Sequence, residues 1–423
     1  MAAFRVLQAV GRGQFLDRAL DAERPSERVR AWVQETVYGV ERLRGRLDHA
    51  LARHLDRPPT AVDADLLTVL RIGAYEGTVL DTPHYAALSQ AVELARSVSH
   101  EGGARLVNAV LRRLLAQGLD EGSVPSRTED PAGWLSTWGS HPRWLVERWL
   151  ARWSFADVQA LVEADNGRAP VCLSPADGDL EGLLETLWAR GVEATPAGHG
   201  SGTVVLPPGV RVGPLLEGLP AFVQDPGAAL VVQAVEAGDV AWLGDLCAAP
   251  GGKALGLAAR GVAVRAADRS AARLRLLGES VDRLGMQIPR FVADARRPPF
   301  LAAPALLLDA PCTGTGTLRR HPDGRWRLAP DDLEALARLQ AGLLDAAADR
   351  VTPGGLLVYA TCSLEIEENA DQVSRFLSRH PDFRLEAPRT VEPALLDERG
   401  CLTVLPQRTG FDGAFAARFR RNP

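Results

Sequence analysis

Ala305-Leu306-Leu307-Leu308-Asp309-Ala310-Pro311-Cys312-Thr313-Gly314-Thr315-Gly316 starts as an apolar, strand-like run and turns at Asp309 into a loop of small residues around a cysteine. The pattern returns where Leu356-Leu357-Val358 leads to Thr361-Cys362-Ser363. Strand signals over 240–245, 262–267, 290–293, 305–309 and 355–360 alternate with helical patterns near 253–260, 270–284 and 331–350. Such alternation predicts a doubly wound, mostly parallel sheet. Ligands of these sheets bind beyond the carboxyl ends of the strands. Asp245, Cys247, Asp268, Asp294, Asp309, Cys312 and Cys362 all fall at those ends.

The first of these ends reads Asp245-Leu246-Cys247-Ala248-Ala249-Pro250-Gly251-Gly252-Lys253 and runs directly into a helix. Its backbone N–H groups can face a polar or anionic ligand. It is neither Gly-x-Gly-x-x-Gly nor a P-loop, which argues against a dinucleotide or a nucleoside triphosphate. Asp268, ending the next strand, is placed to take ribose hydroxyls, and Asp294, ending the third, to reach an adenine amino group. Together they describe an adenosine-containing ligand without a phosphate fingerprint, as S-adenosylmethionine is.

The 423 residues are too many for one ordinary core, and the 46% hydrophobic, 24% charged composition is that of a globular chain. No apolar run approaches the roughly 18 residues that span a bilayer, so no membrane partner is expected. The stretch from Met1 to Leu16 has no signal-like core. Five cysteines, none in a metal-like pair, fit a reducing cytoplasm and give no reason to expect a metal. The net charge of −5 argues weakly against nucleic acid, so local clusters matter more than the sum. Lys253 is the sole lysine among 48 basic residues. A compact ammonium there is not interchangeable with a guanidinium.

The N-terminal part reads as helices over 26–51, 62–77, from Thr82-Pro83 (N-cap and first helical residue) through Val98, and from Arg105 to Leu115. We expect an all-helical domain over 1–125, a small α+β connector over 126–220 and the α/β domain over 221–423. Arg105, Asn108 and Arg112 share a face that is either simply solvated or in contact with phosphates. Five tryptophans from Trp134 to Trp153 read as packing groups. Cys172 and Cys401, in apolar runs, read as buried structural thiols. Leu402 to Arg420 reads as an antiparallel hairpin finishing the sheet.

Asp245 to Lys253, Asp309 to Gly316 and Thr361-Cys362-Ser363 resemble the signatures of RNA 5-methylcytosine methyltransferases, the Nol1/Nop2/Sun group. Arg319-Arg320-His321-Pro322-Asp323 and Trp326 resemble its bacterial RsmB type, which modifies 16S ribosomal RNA. Thr36-Val37-Tyr38-Gly39-Val40, Leu70-Arg71-Ile72-Gly73-Ala74-Tyr75 and Val107-Asn108-Ala109-Val110-Leu111-Arg112-Arg113 are similar to the NusB-like domain of such enzymes. The likeness is weakest from about 150 to 215, and Thr313 stands where serine is usual. It implies an all-α N-terminal domain followed by a Rossmann-like methyltransferase domain with a mostly parallel seven-stranded sheet.

The resemblance also implies S-adenosylmethionine as cofactor, bound by Cys247, Ala248, Ala249, Pro250, Gly251, Gly252, Lys253, Asp268, Asp294 and Asp309. It assigns attack on carbon 6 of the cytosine to Cys362, base contact and proton sharing to Asp309, and the release step to Cys312. Carbon 5 of cytosine is a poor nucleophile until a thiolate adds at carbon 6, and a free thiol needs local activation to supply one. Arg319, Arg320, Arg325 and Trp326 form a basic-aromatic cluster that would flank a cytosine drawn from its stack, with Arg112 as a further RNA contact. The expected protein is a cytoplasmic monomer acting on 16S ribosomal RNA. The alternatives are the same chemistry on tRNA, or an RNA-binding assembly factor with a vestigial catalytic half. An amino-group methyltransferase is disfavoured by Cys362.

Overall fold

The computed structural model describes residues 1–80, 82–238 and 240–423. The chain divides into two compact units, Met1–Arg168 with Leu318–Leu328, and Ala169–Thr317 with Ala329–Pro423. A loop from the α/β half thus belongs to the helical unit. No helix is long and apolar enough to cross a membrane.

The helical unit is built from Ala2–Gly11, Leu16–Glu23, Glu27–Arg42, Arg44–Ala52, Ala64–Thr78, His84–Val98, Glu101–Gln117, Pro131–Thr137, Arg143–Leu150 and Phe155–Asn166. Apolar residues at helical spacing, among them Val37, Val40, Leu47, Leu70, Val107 and Leu111, form one buried core. The single helix expected over 26–51 is two, because the chain breaks at Leu43 (φ −103°, ψ 16°). The apolar period runs straight across this one-residue break, so periodicity could not reveal it; the Gly45 N–H donates to Ser140 Oγ at 2.9 Å there. The helix expected from Thr82 starts at His84 with Pro83 at its N-cap and no side-chain cap. Trp134 and Trp149 are buried, and Arg127 and Arg46 stack over Trp134 and Trp138 at 4.2 and 4.0 Å. These rings are packing groups, as expected.

In the second unit, β1 (Cys172–Pro175), β2 (Thr195–Pro196), β3 (Val204–Val205) and β4 (Ala221–Val223) form an antiparallel sheet in the order β2-β3-β1-β4. Leu183, Leu184 and Leu187 of helix Leu180–Ala189 cover it.

The larger sheet comprises β5 (Leu243–Asp245), β6 (Val264–Asp268), β7 (Arg290–Val292), β8 (Ala303–Asp309), β9 (Val351–Thr361), β10 (Phe383–Leu385), β11 (Leu402–Val404) and β12 (Ala414–Arg421). Seven strands run in the order β10-β12-β9-β8-β5-β6-β7, and β11 pairs with β12. Pairings among β5 to β9 are parallel, while β12 is antiparallel to β9, β10 and β11. The central strands are apolar on both faces because helices cover both sides. From β5 the chain proceeds outward through β6 and β7, then returns to β8 on the other side of β5. The carboxyl ends of β5 and β8 therefore open at the switch point where such sheets bind ligands.

Candidate active site

The turn after β5 is held from below. The Ala249 and Ser270 N–H groups donate to Asp268 Oδ2 and Oδ1 at 3.2 and 2.8 Å, so the carboxylate at the end of β6 fastens the turn after β5. A carboxylate offers about four acceptor sites, which leaves Asp268 capacity for further donors. Arg273 donates to the Ala249 carbonyl, and Gln224 Nε2 to the Gly252 carbonyl at 2.8 Å. Gly251 sits at φ 123°, and a Cβ there would lie 2.5 Å from Leu277 Cδ1. Only glycine suits that backbone.

Asp245 is fully buried, and neither carboxyl oxygen has a hydrogen-bond partner among the described residues. Burial, and then the nearby Asp309, pushes its pKa up to about 8, so it is largely neutral at pH 7. Burial likewise pushes the Cys247 thiol up, helped by Asp245. Both effects work against a Cys247 thiolate. Asp294 sits in its own loop, where hydrogen bonds from Arg296, one of 2.6 Å from Nη2, hold its pKa at about 2.

At the ends of β8 and β9 the chemistry-bearing residues converge. Lys253 Nζ lies 2.8 Å from Asp309 Oδ2. Burial pulls the Lys253 ammonium down, but the Asp309 carboxylate outweighs it and the net shift is upward. Cys312 Sγ lies 3.4 Å from Cys362 Sγ. The hydrogen bond from the Cys312 thiol lowers the pKa of Cys362 against the effect of burial, while the same contact and burial raise Cys312. The contact thus favours charge on Cys362 over Cys312.

Backbone contacts bind the two loops. The Gly316 N–H donates to the Cys362 carbonyl at 2.9 Å, and the Gly413 N–H to the Gly316 carbonyl at 2.7 Å. A Cβ on Gly316 would lie 2.7 Å from Gly413 Cα and 2.8 Å from the Cys362 oxygen. Thr315 Oγ1 accepts from the Leu364 N–H at 2.9 Å. The hydroxyl of Thr313 is used fully, bonding Ser363 Oγ at 3.1 Å and Glu368. Threonine serves here because only the hydroxyl matters. Sequence reasoning missed Glu368, Gln340 and Asn369. Asn369 Oδ1 accepts from the Thr361 hydroxyl at 2.6 Å, and its Nδ2 donates to the Ser363 carbonyl at 2.8 Å, bracing both sides of Cys362.

Within the basic-aromatic cluster, Arg325 needs correction. Arg325 is 0% exposed, and its guanidinium donates to the carbonyls of Arg42, Ser140, Asp165 and Leu318 at 3.0–3.3 Å and to Asn166 Oδ1 at 2.8 Å. Burial lowers its pKa only to about 10, so it stays charged. It cannot touch RNA in this fold. Trp326 Nε1–H donates to the Glu41 carbonyl at 2.7 Å, and its ring packs beneath Arg44. Arg319 donates to the Arg168 carbonyl. Arg320 is half-buried in the same loop, whereas Arg105 and Arg112 are exposed on helix Glu101–Gln117.

A family model described as 16S rRNA methyltransferase RsmB/F matches residues 232–420, the NusB family matches 1–116, and an RsmF/B-like ferredoxin-like domain matches 141–213. A ribosomal RNA small subunit methyltransferase B of Thermus thermophilus is 37% identical, with 97% of this chain and 94% of that protein covered. The chain belongs to the RsmB/F family of ribosomal RNA methyltransferases. A putative methyltransferase of Mycobacterium tuberculosis is 36% identical over 99% of this chain and 96% of its own length. The crystal structure of PH0851 is similar at a TM-score of 0.81 and 25% identity, over 99% of this chain and 97% of that one. An RsmB/F domain thus coincides with the larger sheet, and a NusB-like domain with the first seven helices. Among the described residues no cluster of three or more His, Cys, Asp or Glu could hold a metal.

Proposed function

We propose that this RsmB/F enzyme methylates carbon 5 of a cytosine in 16S ribosomal RNA through a covalent bond between Cys362 and the base. The observation that carries this reading is the pair of sulfurs 3.4 Å apart beside the Lys253–Asp309 pair, at the switch point of the sheet. The small-subunit target is supported by the description of the family and the names of its members.

The turn fits S-adenosylmethionine in two respects. It carries no phosphate-binding glycine pattern, and the orphaned Asp245 carboxyl lies at its base. Ala248, Ala249, Pro250, Gly251 and Gly252 would line the ligand, Asp268 would take ribose hydroxyls, and Asp294, once turned from Arg296, the adenine edge. When bound, S-adenosylmethionine supplies the electrophilic methyl group. The Cys362 thiolate adds to carbon 6, and the C5–C6 π pair makes carbon 5 nucleophilic. The Lys253–Asp309 pair, held together at 2.8 Å, steadies the charge that develops toward ring nitrogen 3. After transfer, Cys312, its own thiol proton having passed to solvent, takes the carbon 5 proton as base; the double bond reforms and the C–S bond to Cys362 breaks, releasing the Cys362 thiolate. Arg105 and Arg112 of the NusB-like part would hold phosphates.

Cys362→Ser should abolish methylation, because a hydroxyl is a far weaker nucleophile. Cys312→Ser should accumulate a covalent protein–RNA adduct visible on a denaturing gel. Full activity of the first variant, or no adduct from the second, would sink the covalent mechanism. Bisulfite sequencing of ribosomal RNA and tRNA from a deletion strain tests the target.

A further inference from the structure

Glu368 closes the single helical turn Ile366–Glu368 just beyond the Cys362 loop, and it is fully buried. Its Oε1 and Oε2 accept from the Thr313 N–H at 2.9 and 3.2 Å. The Thr313 hydroxyl also donates to it, and Gln340 Nε2 donates to Oε1 at 2.8 Å. Gln340, itself buried in helix Pro330–Ala348, bonds the Pro311 carbonyl at 2.9 Å through the same nitrogen. One carboxylate and one amide therefore grip residues 311 and 313, on either side of Cys312. Thr313 Oγ1 in turn meets Ser363 Oγ at 3.1 Å, next to Cys362.

This is an expensive arrangement if its purpose were only to pack. Among the described residues no lysine or arginine pairs with Glu368, and burial raises its pKa despite the donors. A buried carboxylate with only neutral partners costs more than an apolar side chain of similar volume. What it provides is geometry at the sulfurs.

We propose that Glu368 is a positioning residue: by fastening the Cys312 loop to the Cys362 loop it keeps the Cys312 thiol within hydrogen-bond reach of the Cys362 sulfur. Without the clamp Thr313 loses both of its bonds to Glu368 and keeps only its hydroxyl contact with Ser363, and Cys362 loses the contact that favours its thiolate. The catalytic consequence rests on the covalent reading above, but the structural one does not, so the test reads the cysteines in the free protein.

Iodoacetamide alkylation of Cys362, followed by peptide mass spectrometry across pH, reports its thiolate. In the intact protein the midpoint should lie below the ordinary thiol value of about 8.5. Glu368→Ala should raise it by about one unit, which slows alkylation at neutral pH roughly tenfold. Phe376→Leu, at a ring that packs on Phe383 and Phe419 and makes none of the Glu368 hydrogen bonds, controls for general loosening. If Glu368→Ala does not fold, Glu368→Gln keeps the volume and one acceptor, and a smaller upward shift is expected. A profile coincident with wild type, or an equal shift from Phe376→Leu, overturns the proposal. Loss of activity in Cys362→Ser with an unmoved Glu368→Ala profile would leave the covalent mechanism standing and remove only Glu368 from it.

Discussion

Asp245→Asn should make the protein more stable at neutral pH, and the size of the effect follows from the burial of one carboxyl. Asp245 is buried with both oxygens unpartnered, and its pKa is pushed up to about 8 from a model-peptide value of 3.8. The folded state therefore holds a proton that the unfolded chain releases above about pH 4. By linkage, stability falls as pH rises from there and levels off only above about pH 8. Each unit in that window is worth about 1.4 kcal/mol, so moving from about pH 5.5 to about pH 7.5 costs the wild type about 3 kcal/mol through this group alone. Asparagine has the same shape and does not titrate. The two proteins should match only below about pH 4, where the carboxyl is neutral in both the folded and the unfolded state, and the advantage of the variant should widen by about 3 kcal/mol between the two pH values. Urea unfolding at both pH values, compared as the difference between variant and wild type, cancels every other titrating group. Parallel pH dependences for the two proteins would refute the assignment of a neutral, buried Asp245.

Other expectations separate structural from functional arginines. Arg325→Ala should cost on the order of 3 kcal/mol in thermal unfolding, since it leaves several buried acceptors unpaired; an unchanged melting temperature would return Arg325 to the list of surface cations. Arg112→Ala should leave stability alone but weaken RNA binding uniformly across sequences and reduce the salt slope by about one, measured by filter binding in a salt series. An unchanged slope would mean that its helix face is simply solvated. Gly251→Ala, at φ 123° and with Leu277 2.5 Å from the new Cβ, should destabilise by about 1–3 kcal/mol and weaken cofactor binding in calorimetry.

What the sequence made legible follows from the range of the forces involved. The turn after β5, Asp309, Cys312 and Cys362 stand at the ends of apolar runs, where strand period, glycine and nucleophile lie within a few residues of one another. Glu368 and Gln340 carry no such local signal. They matter because helix Pro330–Ala348 and the turn Ile366–Glu368 bring them behind Thr313, a relation that exists only after β8 and β9 have paired. The strand β10, three residues long, was equally silent, since Phe383-Arg384-Leu385 alternates too briefly to be told from loop.

Arg325 shows why the basic cluster misled. In sequence, a run of arginines near a tryptophan reads as a phosphate-binding surface whether or not it reaches solvent. A guanidinium, however, carries five donors in a plane, and the ends of helices carry carbonyls that lack intrahelical partners. Arg42 ends one helix and Asp165 lies in the last turn of another, and Arg325 donates to both their carbonyls, at the negative ends of the two helix dipoles. The same chemistry that makes arginine the usual partner of RNA phosphates lets it fasten helix ends. Charge pattern alone cannot distinguish the two uses, and burial decides between them. That shifts the search for RNA contacts from Arg325 to the exposed Arg105 and Arg112 on helix Glu101–Gln117, where the salt-series measurement is aimed.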